Sequence, residues 1–246
     1  MATADNGLAA VLYAPSSVDA IVGEGTRVSI AEDTGYPFGD HADFTMSMER
    51  PVEFPLYLRL PGWADKVRIM VNGGEVPGEF EGGQFAVLKR IWRHGDQVRL
   101  QFPMDIKVAH WPRIGDAVSV RRGPLWYSLR IGEEWKRYGG TAQWPAQEVL
   151  PTTPWNYGLV VNAANPGATV RLASLNTPGF QPFMPEAAPV VLKARARRIP
   201  GWQAEGRMAG LVPPSPAEGA GPAEEVELVP MGCARLRITV FPTVKK

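Results

Sequence analysis

Val52-Glu-Phe-Pro-Leu-Tyr-Leu-Arg-Leu60 puts Val52, Phe54, Leu56, Leu58 and Leu60 at every second position, with Glu53, Tyr57 and Arg59 among the residues between them. A two-residue period turns the apolar side chains to one side of a β-sheet and the polar ones to the other. The pattern extends in both directions. Upstream, Phe44, Met46 and Met48 alternate with Asp43, Thr45, Ser47 and Glu49. Downstream, Val67, Ile69 and Val71 follow, then Val98, Leu100 and Phe102 between Gln97, Arg99 and Gln101. Turn chemistry separates the runs: Pro61-Gly62, Asn72-Gly73-Gly74, Gly82-Gly83 and His94-Gly95-Asp96. Short strands at regular spacing, each with one wet face, predict a sandwich or barrel.

The rest of the chain agrees with an all-β fold. Its 246 residues suit two domains of ordinary size. Gly 26 and Pro 24 together make about a fifth of the chain, too many breakers for a helical protein. No long window carries a helical stripe, and no repeat of fixed period is present. Alternation lapses between Pro103 and Gly115 and resumes with Val118, Val120 and the run Leu125 to Ile131. The expectation is therefore two consecutive antiparallel β-sandwich (jelly-roll-like) domains, residues 1–110 and 111–246. Within the second, about 132–189 reads as one long irregular loop, rich in Pro, Gly, Asn and aromatics. Loops of that length usually wrap a surface, pack on a partner or bind something. Strand signals return at Val190 to Ala196, Leu211 to Glu225 reads as a polar loop, and Leu236, Ile238 and Val240 mark a final strand.

Charge excludes whole classes of partner. Lys+Arg 26 against Asp+Glu 25 leaves a net charge of +1, so no basic field draws in nucleic acid or acidic lipid. No apolar run approaches the roughly 20 residues of a membrane span. Met1 to Gly7 has neither the basic nor the apolar region of a signal peptide. A soluble protein of the bacterial cytoplasm or periplasm is expected. The single cysteine, Cys233, rules out an internal disulfide.

Acid–base hydrolysis needs an acid and a nucleophile or base, often paired carboxylates. Asp33, Asp40, Asp116, Glu133, Glu134 and Glu148 fall at predicted turns or loops, where solvated surface charge is the ordinary reading. His41, His94 and His110 are far apart, so no metal site is expected. Cys233 precedes a strand and reads as a small hydrophobe rather than a nucleophile. No nucleophile elbow, P-loop or dinucleotide fingerprint occurs. What is abundant is aromatic surface: Trp135, Tyr138, Trp144, Trp155 and Tyr157 crowd the irregular stretch. Their rings would stack on the C–H faces of a sugar, or else staple the loop to its own sandwich. Lys193, Arg195, Arg197 and Arg198 read as surface charge before a carboxylate clamp.

Several stretches resemble one family. Gly7-Leu-Ala-Ala-Val-Leu-Tyr-Ala-Pro15, Asp33-Thr-Gly-Tyr-Pro-Phe38 and Val52 to Trp63 are similar to the run after the barrel in DUF1680 (glycoside hydrolase family 127) proteins of the β-L-arabinofuranosidase type. The likeness continues through Trp92-Arg-His-Gly-Asp96, Val120-Arg-Arg-Gly-Pro-Leu-Trp-Tyr127, Glu148 to Leu159, Ile199-Pro-Gly-Trp202 and Glu227 to Arg237. The resemblance implies an N-terminal (α/α)6 barrel with the active site, followed by two β-sandwiches. It also implies that the nucleophilic cysteine and its zinc ion lie in the barrel, so no cofactor is expected in this chain and Cys233 inherits no role. Met1-Ala-Thr-Ala-Asp5 is similar to an interior stretch of the family, which implies that Met1 is a truncation point, the start of an isolated domain piece or a mistaken gene start.

The expected function is a non-catalytic accessory portion that buttresses the barrel and helps form a homodimer. The alternative is a carbohydrate-binding module for arabinose-containing plant glycans, carried by the aromatic stretch. A face made to lie on a barrel should expose an apolar patch. Tyr36, Pro37, Phe38 and Trp111 are the candidates for it, and self-association is expected.

Overall fold

The computed structural model describes residues 1–162 and 165–245. The chain forms two compact units, Met1–Asp105 and Ile106–Lys246, each built of strands with only short 3-10 turns between them. No helix among the described residues is long and apolar enough to cross a membrane.

The first unit contains β1 (Leu8–Ala10), β2 (Ser16–Val22), β3 (Thr26–Thr34), β4 (His41–Met48), β5 (Val52–Arg59), β6 (Arg68–Val71), β7 (Gly74–Glu75), β8 (Phe85–Trp92) and β9 (Gln97–Gln101). One sheet runs β2-β3-β4-β9-β6-β7 and the other β1-β5-β8. β1 lies parallel to β5, and the other pairings in this unit are antiparallel. The alternation predicted from Val52 to Leu60 is the inner face of the smaller sheet, with Phe54, Leu56, Leu58 and Leu60 all buried. Phe44, Met46, Ile69, Val98 and Leu100 are buried in the same apolar cluster. Trp92 is fully buried, and its Nε1 donates to the Phe54 carbonyl at 3.0 Å. That bond satisfies the indole's one polar group.

Turns follow the residues the backbone needs. Asn72 and Gly73 have φ of 52° and 79°, the left-handed pair a two-residue hairpin between β6 and β7 requires. Asp96 is buried but not unpaired. Its carboxylate accepts from Asn72 Nδ2 at 2.8 Å and from the Arg93 backbone N–H at 2.9 Å, tying two turns together.

The second unit contains β10 (Ile106–Trp111), β11 (Ala117–Arg122), β12 (Leu125–Leu129), β13 (Glu133–Gly140), β14 (Pro145–Pro151), β15 (Tyr157–Leu159), β16 (Val170–Leu175), β17 (Val190–Arg198), β18 (Ala204–Glu205), β19 (Met208–Ala209) and β20 (Ala220–Pro230). Its main sheet runs β10-β11-β12-β20-β17-β15, with β16 also on β17. The division falls shortly before the expected 110/111 boundary because β10 pairs along its whole length with β11. Val118, Val120, Leu159, Leu192, Leu228 and Phe241 are buried.

Three expectations for this unit need correction. The stretch 132–189 is not one loop: it holds β13, β14, β15 and β16. The hairpin β13–β14 is wet on both sides and most of β16 is exposed, so no dry face imposes an alternating sequence. The polar stretch 211–225 is part strand, since β20 begins at Ala220 with exposed residues. The final strand at Leu236 to Val240 is instead an irregular segment with bends at both ends, and isolated bridges follow it from Phe241 on. Phe241 exchanges two backbone hydrogen bonds with Val118, each 2.8 Å. Leu159 N–H donates to the Pro242 carbonyl at 2.9 Å, and Val244 N–H to the Leu159 carbonyl at 3.0 Å. The segment thereby joins β11 to β15, at opposite parts of the sheet order.

Candidate functional site

Three exposed aromatics lie on the hairpin β13–β14. Trp135 pairs with Val149 and Arg137 with Gln147, and a register shift between Arg137 and Gly139 places Tyr138 at a bulge. The base of the hairpin is pinned by the Gly132 N–H donating to Thr153 Oγ1 at 2.8 Å. Its tip is closed by the Trp144 N–H donating to Thr141 Oγ1 at 2.9 Å. The Arg137 side chain caps the tip, donating to the Gly139 and Gly140 carbonyls at 3.0 and 2.8 Å. On this braced hairpin Trp135, Tyr138 and Trp144 are 49%, 70% and 75% exposed. Tyr138 and Trp144 have large ring faces in water, the geometry a stacking ligand uses.

Arg235 sets the position of Trp135. Its guanidinium lies 5.3 Å from the Trp135 ring centre and pairs with Glu133 at 3.1 Å. A cleft of about 550 Å³ opens beside it, lined in part by Arg130, Glu133, Tyr157, Glu227 and Arg235. A second, of about 490 Å³, is lined by Leu150, Trp155, Met208, Arg235 and Ile238, with Glu148 and Arg207 also on its wall. Those two form an ion pair at 3.1 Å.

The other two aromatics belong to the fold. Trp155 is half-buried and meets Trp202 edge-on, with ring centres 5.3 Å apart. Tyr157 is buried, with Arg198 over its ring at 5.4 Å, and burial raises its phenol above the usual value. Asn156 braces this corner by donating to the Ile199 and Trp202 carbonyls, each at 3.0 Å. These two positions take the stapling role weighed in the sequence, and the surface-exposed set reduces to the hairpin.

The candidate docking residues divide likewise. Phe38 is 2% exposed, so it is a core residue of the first unit and no part of a surface patch. Its run Tyr36-Pro37-Phe38 is drawn inward because Tyr36 packs between Tyr13, Trp63 and Phe102. Pro37 is only partly exposed. Trp111 is 38% exposed, and its Nε1 donates to Ser119 Oγ at 3.0 Å.

Three of the acids singled out from sequence, Glu133, Glu134 and Glu148, share the β13–β14 hairpin, but each acid with a partner is held by a basic side chain. Glu133 pairs with Arg235, Glu134 with Lys136, Glu148 with Arg207 and Asp40 with His41. Asp33 and Asp116 are exposed. No group of three His, Cys, Asp or Glu able to hold a metal occurs among the described residues. The zinc chemistry implied by the resemblance does not fit the residues here. Cys233 is buried, its thiol donates to the Pro182 carbonyl at 3.3 Å, and burial pushes it up to about 11. A thiol in that state is neither a ready ligand nor a nucleophile.

One acid escaped the sequence reading. Glu32 follows Val28 and Ile30 on the inward beat of β3. It sits at a cavity of about 310 Å³ walled by Leu8, Ile30, Phe44 and Leu56. Burial pushes its carboxyl up to about 7, against the lowering effect of the Ala14 N–H it accepts at 3.0 Å. The signal was present in the parity of position 32.

Comparison with known proteins finds similarity to part of the chain in one family model and to its fold in solved structures. Residues 7–104 match the family model described as the GH127 middle domain of β-L-arabinofuranosidase. Solved structures reproduce the fold of the whole chain. One described as a glycoside hydrolase aligns with 98% of it at 21% identity and a TM-score of 0.67. A GH127 β-L-arabinofuranosidase from Geobacillus stearothermophilus T6 aligns with 99% at 23% identity and a TM-score of 0.65. A further GH127 β-arabinofuranosidase aligns with 98% at 16% identity and a TM-score of 0.62. The chain spans 36%, 34% and 35% of the length of these proteins. No curated protein matches the sequence. The GH127 middle-domain match ends at Met104, so the aromatic hairpin and both clefts beside it lie outside the matched residues.

Proposed function

We propose that this chain is the accessory β-sandwich portion of a β-L-arabinofuranosidase-like glycoside hydrolase, non-catalytic itself and supporting an (α/α)6 barrel. The observation that carries the reading is the GH127 middle-domain match over residues 7–104, joined to a fold that corresponds to about a third of longer glycosidases. A physical feature of the first unit supports it. Phe85, Val87 and Ile91 stand on the outer side of β8, about half exposed, and Val87 faces Tyr57 across the β5–β8 ladder. Apolar side chains in a row on a sheet's outer face are what a docked domain covers. They replace Phe38 as the candidate contact.

The test is hydrolysis of an aryl β-L-arabinofuranoside by the purified chain. The expected result is no turnover above the buffer rate. Turnover abolished by a point substitution within this chain would overturn the proposal. On the same reading the exposed face drives self-association, which Val87→Lys and Ile91→Lys reduce in sedimentation velocity runs.

A second reading rests on the exposed faces of Tyr138 and Trp144: a glycan-binding surface for arabinose-containing polymers. Titration calorimetry with arabinan fragments tests it. Heat at millimolar ligand that disappears in Trp144→Ala supports it, and heat equal to the buffer control removes it.

A further inference from the structure

We propose that Arg195 and Arg197, on the solvent side of β17, form a binding site for a small oxyanion, the carboxylate of a uronic acid or inorganic phosphate. The inference is independent of the scaffold reading. It starts from alternation: Ala194 and Ala196 are buried, so Lys193, Arg195 and Arg197 project together from the opposite face.

The two acids paired across the ladder from this face are already engaged. Glu225 lies opposite Arg195 in the β17–β20 register, but its carboxylate is held by Arg171 at 2.7 Å and Lys193 at 2.8 Å. Glu227, opposite Lys193, is held by Arg130 at 2.8 Å. Among the described residues no carboxylate forms an ion pair with Arg195 or Arg197, and the face carries an excess of positive charge.

Arg197 is the more informative of the two. Its Nε is buried and has no acceptor. Its stem packs against the Gly219 backbone, where an added Cβ would approach Arg197 Cβ to 2.8 Å and Cδ to 3.1 Å. A buried charged donor left unpaired is costly, and an anionic acceptor relieves that cost with charge-assisted hydrogen bonds. Both arginines line one cavity of about 420 Å³ with Val160, Thr169, Pro222 and Ala223, within the size range of small-molecule sites. The apolar walls lower the local dielectric and strengthen an ion–guanidinium contact there.

The experiment is titration calorimetry of the whole chain with galacturonate, with galactose as the neutral match, and with inorganic phosphate. Binding of galacturonate or phosphate without binding of galactose is expected. Galacturonate alone identifies a carboxylate source and phosphate alone a free-phosphate source. Arg195→Gln and Arg197→Gln should each weaken binding by about tenfold or more, while Arg113→Gln, exposed elsewhere in the second unit, leaves it unchanged. Should Arg197→Gln fail to fold, Arg195→Gln at its exposed position carries the test. No heat from either anion, or affinity unaltered in the folded variants, overturns the site.

Discussion

Replacing Glu32 by Gln should stabilise the protein at pH 8 and leave it nearly unchanged at pH 4. The carboxyl ionises near 4.5 in an unfolded chain, and burial against Ile30, Phe44 and Leu56 pushes it up to about 7 in the folded one. Between those values the folded state binds more protons than the unfolded state. Stability therefore falls as pH rises through that window and stays level above it. The full shift would correspond to about 3 kcal/mol, but the side chain is only partly buried, and solvent screening reduces this to about 1 to 2 kcal/mol. Gln keeps an oxygen that can accept the Ala14 N–H and removes the ionisation. Urea denaturation of both proteins from pH 4 to pH 8 measures the difference. A gap that opens across this window supports the argument. A gap of equal size at both ends, or one that favours the wild type at pH 8, refutes it.

Leu58→Ala empties a fully buried position between the sheets of the first unit and should cost about 2 to 5 kcal/mol in denaturant unfolding. Cys233 should resist iodoacetamide at pH 8 until the protein is unfolded, because its thiol is buried and protonated there; rapid labelling of the native chain would contradict that assignment. Tyr138→Ala and Trp144→Ala remove side chains that stand mostly in water. Each should therefore change stability by less than about 0.5 kcal/mol, and a larger loss in thermal melts would mean the rings pack on something.

The first unit was legible because both of its sheets are dry on one side. Val52 to Leu60, Phe44 to Met48 and Val98 to Phe102 announce that face in the order of the residues, and the same positions are buried. The second unit was harder because burial there is not periodic. Both strands of the β13–β14 hairpin keep water on two sides, so Glu133 to Gly140 carries no beat to read. The role of Arg235 was hidden by distance, since its partner Glu133 is 102 residues away and nothing in either neighbourhood names the other. Tyr36-Pro37-Phe38 misled for a different reason. A Pro and two aromatics at a turn resemble a surface patch, yet the aromatics of Tyr13, Trp63 and Phe102 draw the run inward. The alternating parity of β3 did contain Glu32, a charged residue on the inward beat, which is the one site signal that a stricter reading would have caught.

The bridge that residues 241–244 make between β11 and β15 bears on how the molecule is made. Ser119 donates to the Thr239 carbonyl across 120 residues of chain, so the second unit has partners that the ribosome delivers far apart in time. The first unit, complete by Asp105, can mature while synthesis continues; its neighbour must wait with open strand edges until position 244 emerges. Deleting residues 241–244 would then leave an unfinished sheet, and nascent chains stalled before them are the ones a holdase should recognise.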